Sequence, residues 1–209
     1  MNAADMTLSM FFDELASDSP APGGGTVAAL GAAAAAGLVS MVARLTLGKE
    51  KFRDHWKEME TIAEKSDVLR SRFLRLMKED ADAFNEFMAA MKLPKETEEQ
   101  KKTRADAMQN ALLHAAEVPL ETLRLCADIA LLAFATAERG NPNALTDAGA
   151  AAAFALSAAQ TAAYNVRINT KALRDQLQVT RLEKETKQHL QTVRKFALQT
   201  TDFVEAQLS

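Results

Sequence analysis

The stretch "MKEDADAFNEF" places four acids within eight residues: Glu79, Asp80, Asp82 and Glu86. What each can do depends on the face it occupies. Met59, Ile62, Ser66, Leu69, Phe73, Leu76, Asp80, Ala83, Phe87 and Ala90 alternate at spacings of three and four. That is the core-facing seam of a helix. Asp80 lies on it, one heptad after Phe73 and one before Phe87. Glu79, Asp82 and Glu86 fall towards the polar side with Arg72, Arg75 and Lys78. A carboxylate on an apolar seam is costly unless it is paired or hydrogen-bonded. One reading gives it a structural partner, such as Arg44 or an asparagine. The other makes it a general acid/base whose pKa burial raises.

A second polar series breaks an otherwise apolar pattern. Ser157, Thr161, Asn165 and Asn169 recur every four residues and form one face of a helix. Asn165 and Asn169 could present amides to a heterocycle, or simply bond neighbouring helices. The loop "PGGGT" (Pro22, Gly23, Gly24, Gly25, Thr26) runs into a helix start. Backbone N–H groups there can approach an anionic or polarised ligand, although a structural turn satisfies the same residues. The loop is neither a Walker A loop nor a dinucleotide fingerprint, because the following lysine, the spacing and the preceding strand are all missing. Lys49 and Lys51 follow Gly48, where they could meet an anionic substrate or simply be solvated. Asp147 opens a helix, where the dipole favours an aspartate.

The elements that must position these groups are helical throughout: no useful period-two alternation or hairpin dipeptide occurs. Seven helices are expected, in one domain over residues 1–209. The first is capped by Thr7 and ends near Ala16. An Ala-rich second runs from Gly25 to Leu47 and stops at Gly48. A long third, of about 35–40 residues, spans Asp54 to Lys92. A capping box at Thr97 and Gln100 opens the fourth, which Pro119 kinks or breaks. A fifth resumes to Arg139. Thr146 or Asp147 caps an Ala-rich sixth, Ala148 to Asn169, and an amphipathic seventh covers Ala172 to Gln207. The fold class is therefore an all-α bundle with a buried Ala-rich helix pair.

Composition excludes several functions. With 25 basic and 28 acidic residues the net charge is −3, so bulk charge gives no nucleic-acid attraction. The three histidines lack zinc-type partner spacing, so no metal site is expected. Cys126 is the sole cysteine, which fits a reducing compartment. "MNAADMTLSMFFDEL" has no basic region followed by an apolar run, so no secretory leader is expected. Residues 26–43 and 148–166 are charge-free and long enough to span a bilayer. They are mostly alanine, which gains little from lipid, and are read as buried helices without a membrane role.

Three motifs occur in order: "PAPGGGTVAALGAAAAAGLVSMVARLTLGKEKF", "EDADAFNEFMAAMKLPK", and "GNPNALTDAGAAA" followed by "YNVRIN". Together they resemble the formimidoyltetrahydrofolate cyclodeaminase and methenyltetrahydrofolate cyclohydrolase family, over roughly residues 5 to 205. The resemblance implies an all-helical cytoplasmic enzyme, a homodimer or an assembly of dimers, and a tetrahydrofolate substrate. It implies no metal or redox cofactor. Carried onto this chain, the family's catalytic aspartate falls on Asp80, with Asp147 as second carboxylate. Its pocket pattern falls on Pro22, Gly23, Gly24, Gly25 and Thr26, and on Lys49, Lys95, Asn141, Asn165 and Asn169. The family usually has serine where Thr26 stands, which keeps the hydroxyl. Lys49 and Lys95 would suit the glutamate tail. The implied activity is a cyclohydrolase, with a cyclodeaminase as alternative. A non-catalytic folate-binding scaffold is the reading of a different class.

Overall fold

Alanine has the highest helix propensity and loses no rotamer freedom on burial. The two Ala-rich stretches accordingly become the two innermost helices. A computed structural model describes residues 3–209, so Met1 and Asn2, part of the segment read for a leader, lie outside it. Among the described residues there are six α-helices and no strand. They are α1 (Leu8–Leu15), α2 (Gly24–Thr46), α3 (Trp56–Met91), α4 (Glu98–Arg139), α5 (Leu145–Thr170) and α6 (Gln176–Leu208). The all-α expectation holds, and α3 has 36 residues. At 42 residues, α4 is longer still.

α2 packs against α3, α4 and α5, and α6 covers α4 and α5. Ala29, Ala32, Ala35 and Ala36 of α2 are fully buried, as are Ala151, Ala155, Ala159 and Ala162 of α5. Such small side chains let helix backbones approach closely, and an inserted methylene would cost about 1–3 kcal/mol by overpacking. α2 and α5 run antiparallel: Gly24 faces Asn165, and seven residues on, Gly31 faces Ala158. By length and composition α2 could cross a membrane, yet 61% of its most apolar window is buried within the bundle.

The local signals are realised at most ends. Thr7 accepts from the Met10 amide at 3.3 Å. The capping box closes both ways, Gln100 N to Thr97 Oγ1 and Thr97 N to Gln100 Oε1, each at 3.2 Å. α2 stops at Thr46, and Gly48 takes φ +73°, a left-handed conformation that favours glycine.

Two expectations change. Neither Thr146 nor Asp147 caps α5. The helix begins at Leu145 behind a 3-10 turn, Pro142–Ala144, whose cap is Asn141. Nor does Pro119 divide the fourth helix, so six helices stand where seven were expected. A helical proline lacks the N–H that would bond the carbonyl four residues earlier. That carbonyl, Ala115 O, instead accepts from the Asn169 side-chain amide of α5 at 2.7 Å.

Candidate active site

The cap residue of α2 is Gly23, which has no side chain to accept from the first helical amides. Those amides need an acceptor from elsewhere. Asp80, midway along α3, supplies it. Thr26 Oγ1 donates to Asp80 Oδ2 at 2.8 Å, and the Thr26 backbone N–H bonds the same carboxylate. This approach requires glycine at position 25. A Cβ there would lie 2.6 Å from the Asp80 carboxyl carbon and 2.8 Å from Oδ2, well inside contact distance.

The other acids of the cluster all have basic side chains as partners. Arg72 pairs with Glu79 and, at 2.7 Å, with Glu121. Lys78 pairs with Asp82, and His114 lies 2.7 Å from Glu86. Arg44, the partner considered for Asp80, instead binds Asp67 at 2.5 Å. Among the described residues no cation pairs with Asp80. Burial pushes its carboxyl above the ordinary aspartate range, and the Thr26 hydroxyl and N–H pull it partly back.

Asp80 opens into a cavity of about 290 Å³. The first turn of α2 (Gly23, Gly24, Gly25) forms one wall, with Pro20 and Ala21 of the preceding loop. The peptide bond between Ala21 and Pro22 is cis, and Pro22 is buried behind that loop. Ala81, Phe84 and Phe87 of α3 form an apolar wall, and Asn165, Ile168 and Asn169 of α5 complete the rim with Ala115 of α4. The two asparagines are only partly satisfied. Asn165 Nδ2 donates to Thr161 O at 2.9 Å. Both hydrogens of Asn169 Nδ2 are used, on Ala115 O at 2.7 Å and Asn165 O at 3.0 Å. Polar groups thus stand around one side of an aromatic slot, a layout suited to a flat heterocycle.

The structure gathers Gly23, Gly24, Gly25, Thr26, Asp80, Asn165 and Asn169 at this end of the bundle. Lys49, Asn141 and Asp147 sit at the other end, around the far terminus of α2, a helix about 35 Å long at 1.5 Å per residue. There the Asn141 side chain bonds Leu45 O at 3.1 Å, and its backbone N–H bonds Thr46 Oγ1 at 2.9 Å. Lys49 is exposed just after α2, and Lys95 is exposed on the loop following α3. None of these four lines the cavity. Asp147 does head a periodic face of α5 that continues through Phe154 and Thr161 to Ile168 at the cavity.

Phe84, Ile168, Ala115 and Pro20 also line the cavity and are not among the residues expected there. Helical spacing held a signal for two of them. Phe84 lies one turn beyond Asp80, and Ile168 lies between the two asparagines yet is 62% exposed. Nothing local marked Ala115 or Pro20.

The family model described as formiminotransferase-cyclodeaminase matches residues 7–188. The chain belongs to this family. Among formiminotransferase-cyclodeaminase relatives, a methenyltetrahydrofolate cyclohydrolase of Methylorubrum extorquens is 42% identical over 173 residues, 83% of each chain. The formimidoyltransferase-cyclodeaminase of Rattus norvegicus is 34% identical over 171 residues, 82% of this chain but 32% of the rat protein. A crystal structure of formiminotetrahydrofolate cyclodeaminase from Thermotoga maritima matches with a TM-score of 0.89, at 30% identity and 98% coverage of both chains.

Proposed function

We propose that the protein is a methenyltetrahydrofolate cyclohydrolase, converting 5,10-methenyltetrahydrofolate and water to 10-formyltetrahydrofolate. The observation that carries this is the Asp80 carboxylate, held in a cavity by a hydroxyl and an N–H with no cation against it among the described residues. The methenyl group is an amidinium-like cation, and a carboxylate without a partner of its own is its natural complement. Water adds to the carbon between N5 and N10, and Asp80 takes the proton of the attacking water. A proton passes to N5 as the carbon–N5 bond breaks. The formyl group stays on N10, and one net proton is released. A carboxyl with a raised pKa suits this exchange, because it both accepts and returns a proton. Phe84 and Phe87 offer apolar faces to the ring head. The cavity has the volume of a ring head, so the glutamate tail lies outside it. The folate is the substrate and the scheme uses no cofactor. The proposed compartment is the cytoplasm.

The active form in this proposal is a homodimer. Val27, Met41 and Leu45 of α2 and Phe154, Tyr164 and Ile168 of α5 are exposed along two adjacent, largely apolar faces. A two-fold dimer pairing these faces antiparallel covers them. It also carries Asp147, at one end of the α5 face, to the cavity at the other end of its neighbour. Asp147 then acts as second carboxylate across the interface, with Lys49 close enough to meet the tail.

The rat and Thermotoga maritima relatives, by name cyclodeaminases, favour a second reading: N10 attacks a formimidoyl carbon and ammonia leaves. Methenyltetrahydrofolate absorbs in the near ultraviolet, which separates the readings. The cyclohydrolase accelerates loss of that absorbance and releases no ammonia from formimidoyltetrahydrofolate. Ammonia release with rising absorbance would establish the cyclodeaminase instead. Neither change would leave a folate-binding scaffold.

A further inference from the structure

Pro119 is buried in the interior of α4, where proline costs about 3 kcal/mol relative to alanine. The helix nevertheless continues for 20 residues beyond it, to Arg139. The carbonyl that Pro119 cannot reach, Ala115 O, belongs to a residue lining the cavity. Its donor is Asn169 Nδ2, at 2.7 Å, on another lining residue. The second Nδ2 hydrogen goes to Asn165 O at 3.0 Å. Both acceptors are backbone carbonyls, so the amide has one sensible orientation: nitrogen towards the carbonyls, oxygen away from them. Asn169 Oδ1 has no protein partner among the described residues.

We infer that Pro119 is a positioning residue. By withholding a helical N–H it leaves the Ala115 carbonyl to Asn169, and so presents Asn169 Oδ1 to the cavity as a fixed hydrogen-bond acceptor. The ligand group this reads is an N–H donor on the edge of a heterocycle. An ordinary residue at 119 would supply an N–H that competes for Ala115 O, and the Asn169 amide would be free to turn. The inference rests on the folate reading for the identity of the ligand. The Pro119–Ala115–Asn169 relay does not depend on it.

The test is Pro119→Ala, alone and combined with Asn169→Ala. In the single variant KM for methenyltetrahydrofolate rises about five-fold, the loss of one neutral hydrogen bond. Its kcat stays within about two-fold and its Tm is unchanged or higher, since alanine suits a helix interior better. In the Asn169→Ala background, Pro119→Ala changes KM no further. A lower Tm with unchanged KM overturns the inference, as does an equal KM rise in both backgrounds. If the unaltered protein turns over neither folate, the functional reading falls, but the relay is still measured. Hydrogen exchange of the Asn169 side-chain amide, followed by NMR, must then quicken in Pro119→Ala. Unchanged exchange overturns the relay.

Discussion

Thr26 Oγ1, on the first turn of α2, donates to Asp80 Oδ2 at 2.8 Å, and Asp80 caps a helix to which it does not belong. One interaction thus fixes the α2 start against α3 and holds the carboxylate at the cavity wall. It also opposes the rise in pKa that burial imposes.

Thr26→Val removes the hydroxyl that favours the charged carboxylate, so the Asp80 pKa climbs further. A general base must be ionised, so the acid limb of kcat/KM moves to higher pH. Thr26→Ser keeps the hydroxyl and leaves the limb in place. A pH–rate profile checks both, and an unmoved limb in Thr26→Val means Asp80 is not the group titrating.

Gly25→Ala pushes a methyl into the Asp80 carboxyl, which has to shift. A displacement of about 1 Å at a reacting group costs on the order of 100-fold in rate. Overpacking of about 1–3 kcal/mol is partly offset by about 1 kcal/mol of helix propensity, so the variant folds. Turnover and circular dichroism measured together check this. Normal turnover would contradict the close approach of Gly25 and Asp80.

In the proposed homodimer, Asp80→Asn and Asp147→Asn are each inactive when every subunit carries the same change. If Asp147 serves the neighbouring cavity, each mixed dimer holds one intact site and one doubly altered site. Random reassortment of equal amounts then restores about a quarter of full activity. No recovery in verified mixed dimers would contradict an Asp147 acting across the interface. Phe154→Asp, on the face proposed to be covered, yields monomers by light scattering and loses activity with dimerisation.

Much of the site was legible because its parts lie on regular helices. The spacing that put Asp80 between Phe73 and Phe87 also set it against a neighbouring helix, and Asn165 and Asn169 share a face for the same reason. The Ala-rich pair announced close helix packing. What was not legible depends on contacts distant in sequence. Pro119 leaves α4 whole because an asparagine 50 positions on satisfies its orphaned carbonyl. Ala115 and Pro20 line a cavity made by four segments meeting, which no local pattern encodes. The order of motifs likewise gave no distances, and so grouped Asp147, Asn141 and Lys49 with residues that a full length of α2 separates from them.

In the proposed reaction Asp80 moves the proton, and Asp80→Asn removes that capacity while keeping the shape of the side chain. Burial holds the native carboxyl above its unfolded pKa. Its contribution to stability is therefore fully present below the unfolded value and is lost as pH rises through the folded one. At neutral pH the neutral amide removes that cost, so Asp80→Asn has an equal or higher Tm and keeps the oligomeric state of the unaltered protein. The decisive measurement is loss of methenyltetrahydrofolate absorbance with this folded variant. The prediction is a rate about 100- to 10,000-fold below that of the unaltered protein, the size of a lost general base. Near-normal turnover by folded Asp80→Asn would contradict the account.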